Sequence, residues 1–135
     1  MNSITLEAAL PNLAAATAFV DAELEAAGCP MKTQMQIDVA LDELFSNVAR
    51  YAYAPGQGEV TVICAFDAQT RVFTLRLRDR GMPYDPLKAP EPDTTLPAEA
   101  RSIGGLGIFL VRKTMDSMDY AREGDENVVT VTKKL

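Results

Sequence analysis

Apolar residues repeat along this chain in two rhythms, and the switches between them outline its elements. Ser3-Ile-Thr-Leu-Glu-Ala8 alternates well enough for a short strand, ended by Pro11-Asn12. From Leu13 to Ala27, Leu13, Phe19, Val20 and Leu24 predict a helix, which Gly28-Cys29-Pro30 stops. A second helix is expected from about Lys32 to Ala52. Within it Ile37, Leu41, Leu44, Val48 and Tyr51 recur at steps of four, three, four and three, the period of a helix with one face on a core. Tyr53-Ala-Pro-Gly-Gln-Gly58 breaks that helix.

The period then drops to two. Val60, Val62, Cys64 and Phe66 share one face of a strand over Glu59–Phe66, and Phe73, Leu75 and Leu77 share one over Val72–Arg78. Asp67-Ala-Gln-Thr70 joins them as a hairpin, so the sheet is antiparallel at least in part. Residues 82–103 contain Pro83, Pro86, Pro90, Pro92 and Pro97, which forbid a helix or a central strand, and a loop of that length in a compact domain reads as a lid. Ile108, Phe109, Val111, Arg112, Met115 and Met118 restore a helical pattern, and Asp119–Arg122 with Asn127–Thr132 form a closing hairpin about Glu123-Gly-Asp-Glu126. No internal repeat is present.

Composition narrows the function classes. At 135 residues the chain suits one domain, 1–135, able to bury a core. Its net charge of −6 and lack of a basic stripe argue against a nucleic-acid partner. Histidine is absent, which removes the commonest metal ligand and the usual neutral-pH base, and rules out a phospho-accepting histidine. A general base would then be a carboxylate. Cys29 and Cys64 have neither metal-ligand spacing nor the density of a disulfide framework. No apolar run approaches a membrane span and no secretory signal pattern is seen, so a cytoplasmic location and no membrane contact are expected.

Three short motifs carry the candidate chemistry, each with an ordinary alternative. Glu43 and Asn47, four residues apart on the second helix, point a carboxylate and an amide from the flank of the apolar stripe toward one small volume. Taken alone, a solvated Glu and a helix-weakening Asn is the commoner reading. Continuing the alternation of Phe73, Leu75 and Leu77 puts Asp79 on the buried face at the strand's end, where a carboxylate needs a partner. Gly81 follows, leaving room for close approach to the backbone, although Asp-Arg-Gly is also ordinary turn chemistry. Gly104-Gly105-Leu106-Gly107 opens a helix and so offers backbone N–H groups beside the positive end of a helix dipole, a setting suited to phosphate. A flexible loop before a core helix is the plain alternative there, since neither the Rossmann nor the Walker pattern is present.

In order and spacing, Glu43-Leu-Phe-Ser-Asn47, Asp79-Arg-Gly81 and Gly104-Gly-Leu-Gly107 resemble the N box, the Asp-x-Gly box and the second glycine box of the Bergerat-type ATP-binding fold. Over the whole chain, with Asp79-Arg-Gly-Met-Pro-Tyr-Asp-Pro86 and Gly105-Leu-Gly-Ile-Phe-Leu-Val-Arg112, the sequence resembles the bacterial anti-sigma factor serine/threonine kinases. The resemblance implies an α+β two-layer sandwich, a mixed, largely antiparallel sheet covered on one face by about three helices, with ATP between helices and lid. It also implies roles: Glu43 as base, Asn47 as the Mg²⁺ ligand, Asp79 as acceptor for the adenine amino group, Gly81 as the close-approach point. Gly104, Gly105, Leu106 and Gly107, chiefly Gly105 and Gly107, would hold phosphates, and Arg101 resembles a lid arginine able to reach a γ-phosphate. One departure stands at Pro83, where many superfamily members have a second glycine. The implied partners are a sigma factor and an anti-anti-sigma antagonist protein, with a homodimer by family analogy. The alternative function is a nucleotide-gated binding module without chemistry; a histidine-kinase catalytic domain is disfavoured by the missing histidine.

Overall fold

The structure, a computed structural model, describes residues 1–88 and 103–135, and for residues 103–106 the backbone alone. In chain order it contains β1 (Asn2–Glu7), a 3-10 turn at Leu10–Asn12, α1 (Leu13–Ala26) and α2 (Met31–Asn47), which continues as a wider π-type turn over Val48–Ala52. Then come β2 (Glu59–Asp67), β3 (Val72–Asp79), a 3-10 turn at Pro86–Lys88, α3 (Ile103–Thr114), β4 (Ser117–Glu123) and β5 (Glu126–Lys134). Most of the expected 82–103 lid, and all of Arg101, lies outside the described residues.

The five strands form one sheet in the order β1-β2-β3-β5-β4, and all four pairings are antiparallel. The fold is the expected α+β sandwich, but the sheet is antiparallel throughout where a mixed, largely antiparallel one was expected, because every neighbouring pair is a hairpin or an antiparallel long-range pairing. Both hairpins follow from local turn chemistry. At the first, the Asp67 carboxylate accepts the Gln69 and Thr70 N–H groups at 2.9 and 3.3 Å, and Arg71 takes a left-handed conformation. The pairing of β3 with β5 is long-range and sets Asp79 directly opposite Asn127.

One face of the sheet is apolar, through Val60, Val62 and Cys64 of β2, Phe73, Leu75 and Leu77 of β3, and Val131 of β5. Against it pack Val20 and Leu24 of α1, Ile37, Leu41 and Phe45 of α2, and Ile108, Val111 and Met115 of α3. Each such large side chain contributes roughly 1.5–3 kcal/mol by leaving water. The opposite face carries Thr61, Thr74, Arg76 and Arg78, with no helix over it among the described residues. Cys29 and Cys64 are unpaired, and burial pushes the Cys64 thiol up to about 12, so it behaves as a small apolar side chain.

Two boundaries differ from the periodicity. The apolar stripe of α2 was expected to end on Tyr51, yet Tyr51 is 53% exposed while Ala52 is buried. The π-type turn accounts for this: its wider winding rotates the last residues away from the α-helical phase, so the next residue faces the core. Met118 was expected on the third helix and instead lies in β4. α3 ends at Thr114, and the Asp116 N–H already bonds across to the Thr132 carbonyl at 2.9 Å.

Candidate functional site

A cleft of about 450 Å³, counting its open mouth, lies between α2 and the Asp79 end of the sheet. Its walls are apolar, from Leu44 and Val48 on the helix side and Leu77 and Val129 on the sheet side. Asn47, Asp79 and Asn127 supply its polar side chains. Tyr51 and Tyr84, both exposed, border it.

Asp79 is 6% exposed, on the inner face that the β3 alternation predicts. Its Oδ1 accepts two hydrogen bonds, from the Gly81 N–H at 2.9 Å and the Asn127 amide at 3.0 Å. Oδ2 has no hydrogen-bond partner among the described residues, so the carboxylate is held by one oxygen and presents the other to a ligand donor. Gly81 is where the loop after β3 meets the end of α2. A Cβ there would stand 2.3 Å from the Ala52 carbonyl oxygen and 2.5 Å from the Ala52 Cβ, and the Met82 N–H donates to that same carbonyl at 2.8 Å. Only glycine fits without moving backbone. The Gly81 carbonyl in turn accepts from Arg122 at 2.8 Å. Tyr53 secures the same corner, its hydroxyl accepting the Arg80 N–H at 2.7 Å and donating to the Glu59 carbonyl at 2.6 Å.

Asn127 has no place in the three sequence motifs, and the structure makes it central. It is 3% exposed, and its amide nitrogen donates to Asp79 and, at 2.7 Å, to the Met82 carbonyl. Its oxygen accepts from the Tyr84 N–H at 3.3 Å and from the Tyr120 hydroxyl. The amide's hydrogen-bonding capacity is thereby filled. The available signal was the alternation of Asn127, Val129 and Val131 on one face of a strand; what was missing was the knowledge that this strand lies beside β3.

One turn before Asn47, next to the residues that line the cleft, α2 presents Glu43, half-buried. The Glu43 carboxyl group rests on the backbone of Gly107: a Cβ at Gly107 would lie 2.0 Å from the carboxyl carbon. The structure thus brings the first and third motifs into contact. Gly104, Gly105, Leu106 and Gly107 sit inside the first turns of α3, which starts one turn earlier than the apolar pattern shows. The first four N–H groups of that helix have no partner within it and point, with the positive dipole end, out of the start of α3 beside Glu43. Burial raises the pKa of Glu43 first, the Asp42 charge adds to this, and Arg50 partly offsets it. Neither Glu43 nor Asn47 makes a side-chain hydrogen bond among the described residues, so both are available to a ligand.

A profile of the histidine kinase-like ATPase domain family matches residues 6–133. The chain belongs to that family. It is 26% identical over 101 residues to the serine/threonine-protein kinase BtrW of Bordetella bronchiseptica, covering 75% of this chain and 70% of that one. Among solved structures, the histidine kinase domain from the Erythrobacter litoralis EL346 blue-light activated histidine kinase aligns with a TM-score of 0.58 at 18% identity, over 79% of this chain. This chain spans 46% of that solved chain, and the likeness is one of fold. Membership of an ATPase domain family implies that the chain binds ATP. Among the described residues, no helix is long and apolar enough to cross a membrane.

Among the described residues no cluster of three His, Cys, Asp or Glu side chains exists that would form an all-protein cage. Asn47 offers a single neutral oxygen, so a Mg²⁺ ion held there would draw its other ligands from phosphate oxygens and water.

Proposed function

We propose that this chain is an ATP-dependent protein serine/threonine kinase that acts as an anti-sigma factor, binding a sigma factor and phosphorylating an anti-anti-sigma antagonist protein. The observation that carries the reading is the seating of Glu43 on Gly107. It sets a carboxylate with raised basicity against the start of α3, where the free N–H groups would meet the phosphates. In this scheme the unbonded oxygen of Asp79 accepts the adenine amino group, the apolar walls hold the base, and Gly81 lets the loop after β3 close against Ala52 beside it. Glu43 accepts the proton of the acceptor Ser or Thr hydroxyl as that oxygen attacks the terminal phosphorus of ATP and ADP leaves. Asn47 would hold Mg²⁺, which when bound neutralises phosphate charge. The similarity to a serine/threonine-protein kinase supports the hydroxyl acceptor, and the resemblance of the three motifs to the anti-sigma branch supports the two protein partners.

Transfer of labelled phosphate from ATP to purified candidate antagonists tests this. Wild type should label one of them on Ser or Thr, and Glu43→Gln should lower the rate by about 10²–10⁴-fold while ATP binding persists. A loss of only a few-fold would make Glu43 a positioning group. No transfer by wild type to any candidate, together with tighter sigma-factor binding in ATP than in ADP, would replace the kinase by a nucleotide-gated binding module.

A further inference from the structure

Away from the cleft, α1 and α2 each place a carboxylate in the seam between them. Asp21 lies one residue past the buried Val20 of α1, and Asp38 one past the buried Ile37 of α2. One oxygen of each, Oδ1, is shut off from solvent with no hydrogen-bond partner. Neither residue takes part in an ion pair among the described residues. Two buried carboxylate oxygens without a donor are costly as they stand, since ionised carboxylates only accept. The two carboxyl groups lie within hydrogen-bond reach of each other, and a bond between them needs a proton on one.

We propose that Asp21 and Asp38 share a single proton and form a pH-responsive clamp between α1 and α2, closed while the proton is held and loosened when it leaves. The surroundings favour retention. Asp21 on α1 is the charge that acts on Asp38, and Cys29, on the turn joining the helices, also feels Asp38. Arg71, on the β2–β3 hairpin, is a cation that acts on Cys29. Its guanidinium stacks 5.6 Å from the Phe66 ring centre and donates to the Leu135 carbonyl at 3.5 Å. Farther along α2, Asp42 is engaged by the Ser46 hydroxyl. Burial first, and then Asp21, push the Asp38 carboxyl up to about 7 from an ordinary 3.8. The folded chain therefore holds a proton that the unfolded chain has released, so stability is fully present below about 3.8 and is lost as pH rises through about 7. Paired carboxyls that share a proton behave this way because both cannot ionise cheaply at contact distance.

Carboxyl-carbon NMR of wild type across pH 4–9 tests the sharing directly. One titration step of the pair should fall near neutrality; both steps in the ordinary carboxylate range would overturn the proposal. Thermal unfolding tests the clamp. The wild-type midpoint should fall by about 5 °C more than that of Asp38→Asn between pH 5.5 and 8.5, because the amide supplies a permanent donor to Asp21. The exposed control Asp42→Asn should keep the wild-type slope. Equal slopes for wild type and Asp38→Asn would remove the clamp, and if Asp38→Asn does not fold, the NMR titration decides.

Discussion

At the Asp79 end of the cleft the protein has already satisfied its own polar groups: Asn127 alone makes four hydrogen bonds, and Gly81 is locked against Ala52. At the Glu43 end the polar side chains stand without hydrogen bonds among the described residues, against a glycine on the next helix. Under the proposed function, one end is a finished fitting for a flat base and the other a set of loose ends for phosphate, metal and acceptor to complete. In that reading, recognition of the base is tied to folding, and the chemistry is left free to vary without endangering the fold.

The same substitution at the two glycines separates these ends most sharply. Gly107→Ala drives a methyl group into the Glu43 carboxyl, the far end of a flexible side chain that can swing away. Phosphate transfer should fall by about 100-fold, roughly 2.7 kcal/mol, since displacements near 1 Å have that effect on a reacting group. Stability should hold or rise by up to about 1 kcal/mol, as alanine favours a helix over glycine. A thermal melt beside the transfer assay would show this split; an equal loss of both would mean that Gly107 is structural. Gly81→Ala should do the reverse, because the methyl meets the Ala52 backbone, which cannot step aside. We expect destabilisation at the upper end of about 1–3 kcal/mol, measured by urea unfolding.

Asn127→Ala should cost about 1–3 kcal/mol, by stranding Asp79, the Met82 carbonyl and the Tyr84 N–H, and should weaken nucleotide binding more than it changes the rate at saturating ATP. Unchanged affinity by calorimetry would separate the Asp79–Asn127 pair from the base site. The smallest expected effect is on pH. A base acts unprotonated, and the pKa of Glu43 is raised, so the acid limb of kcat/KM should sit above the ordinary carboxylate value of 4.5. An acid limb at or below that value would argue that Glu43 is not the group being titrated.

The elements were legible because period two and period 3.6 are local properties, and the strand from Val72 announced its buried Asp79 by simple alternation. The contact of Glu43 with Gly107 was not legible, since the two residues lie 64 positions apart on helices whose packing depends on the whole core. Asn127 was hidden for a related reason: its partner is fixed by the pairing of β3 with β5, and strand order is not written in either strand. The misplacement of Tyr51 differs in kind. The α-helical period was read correctly, but the backbone abandons that period at Val48.

That change of winding has a consequence for the length of the chain. A π-type turn accommodates one more residue than the α-helical turn it replaces, so Val48–Ala52 behaves as an insertion absorbed without breaking the helix. Removing one residue from it would let the helix run on as regular α, yet it would swing Ala52 by about 100° off its place over Gly81. This edge of the cleft therefore depends on a residue count as well as on residue identity, and sequences aligned here without a gap would share the letters while losing the contact.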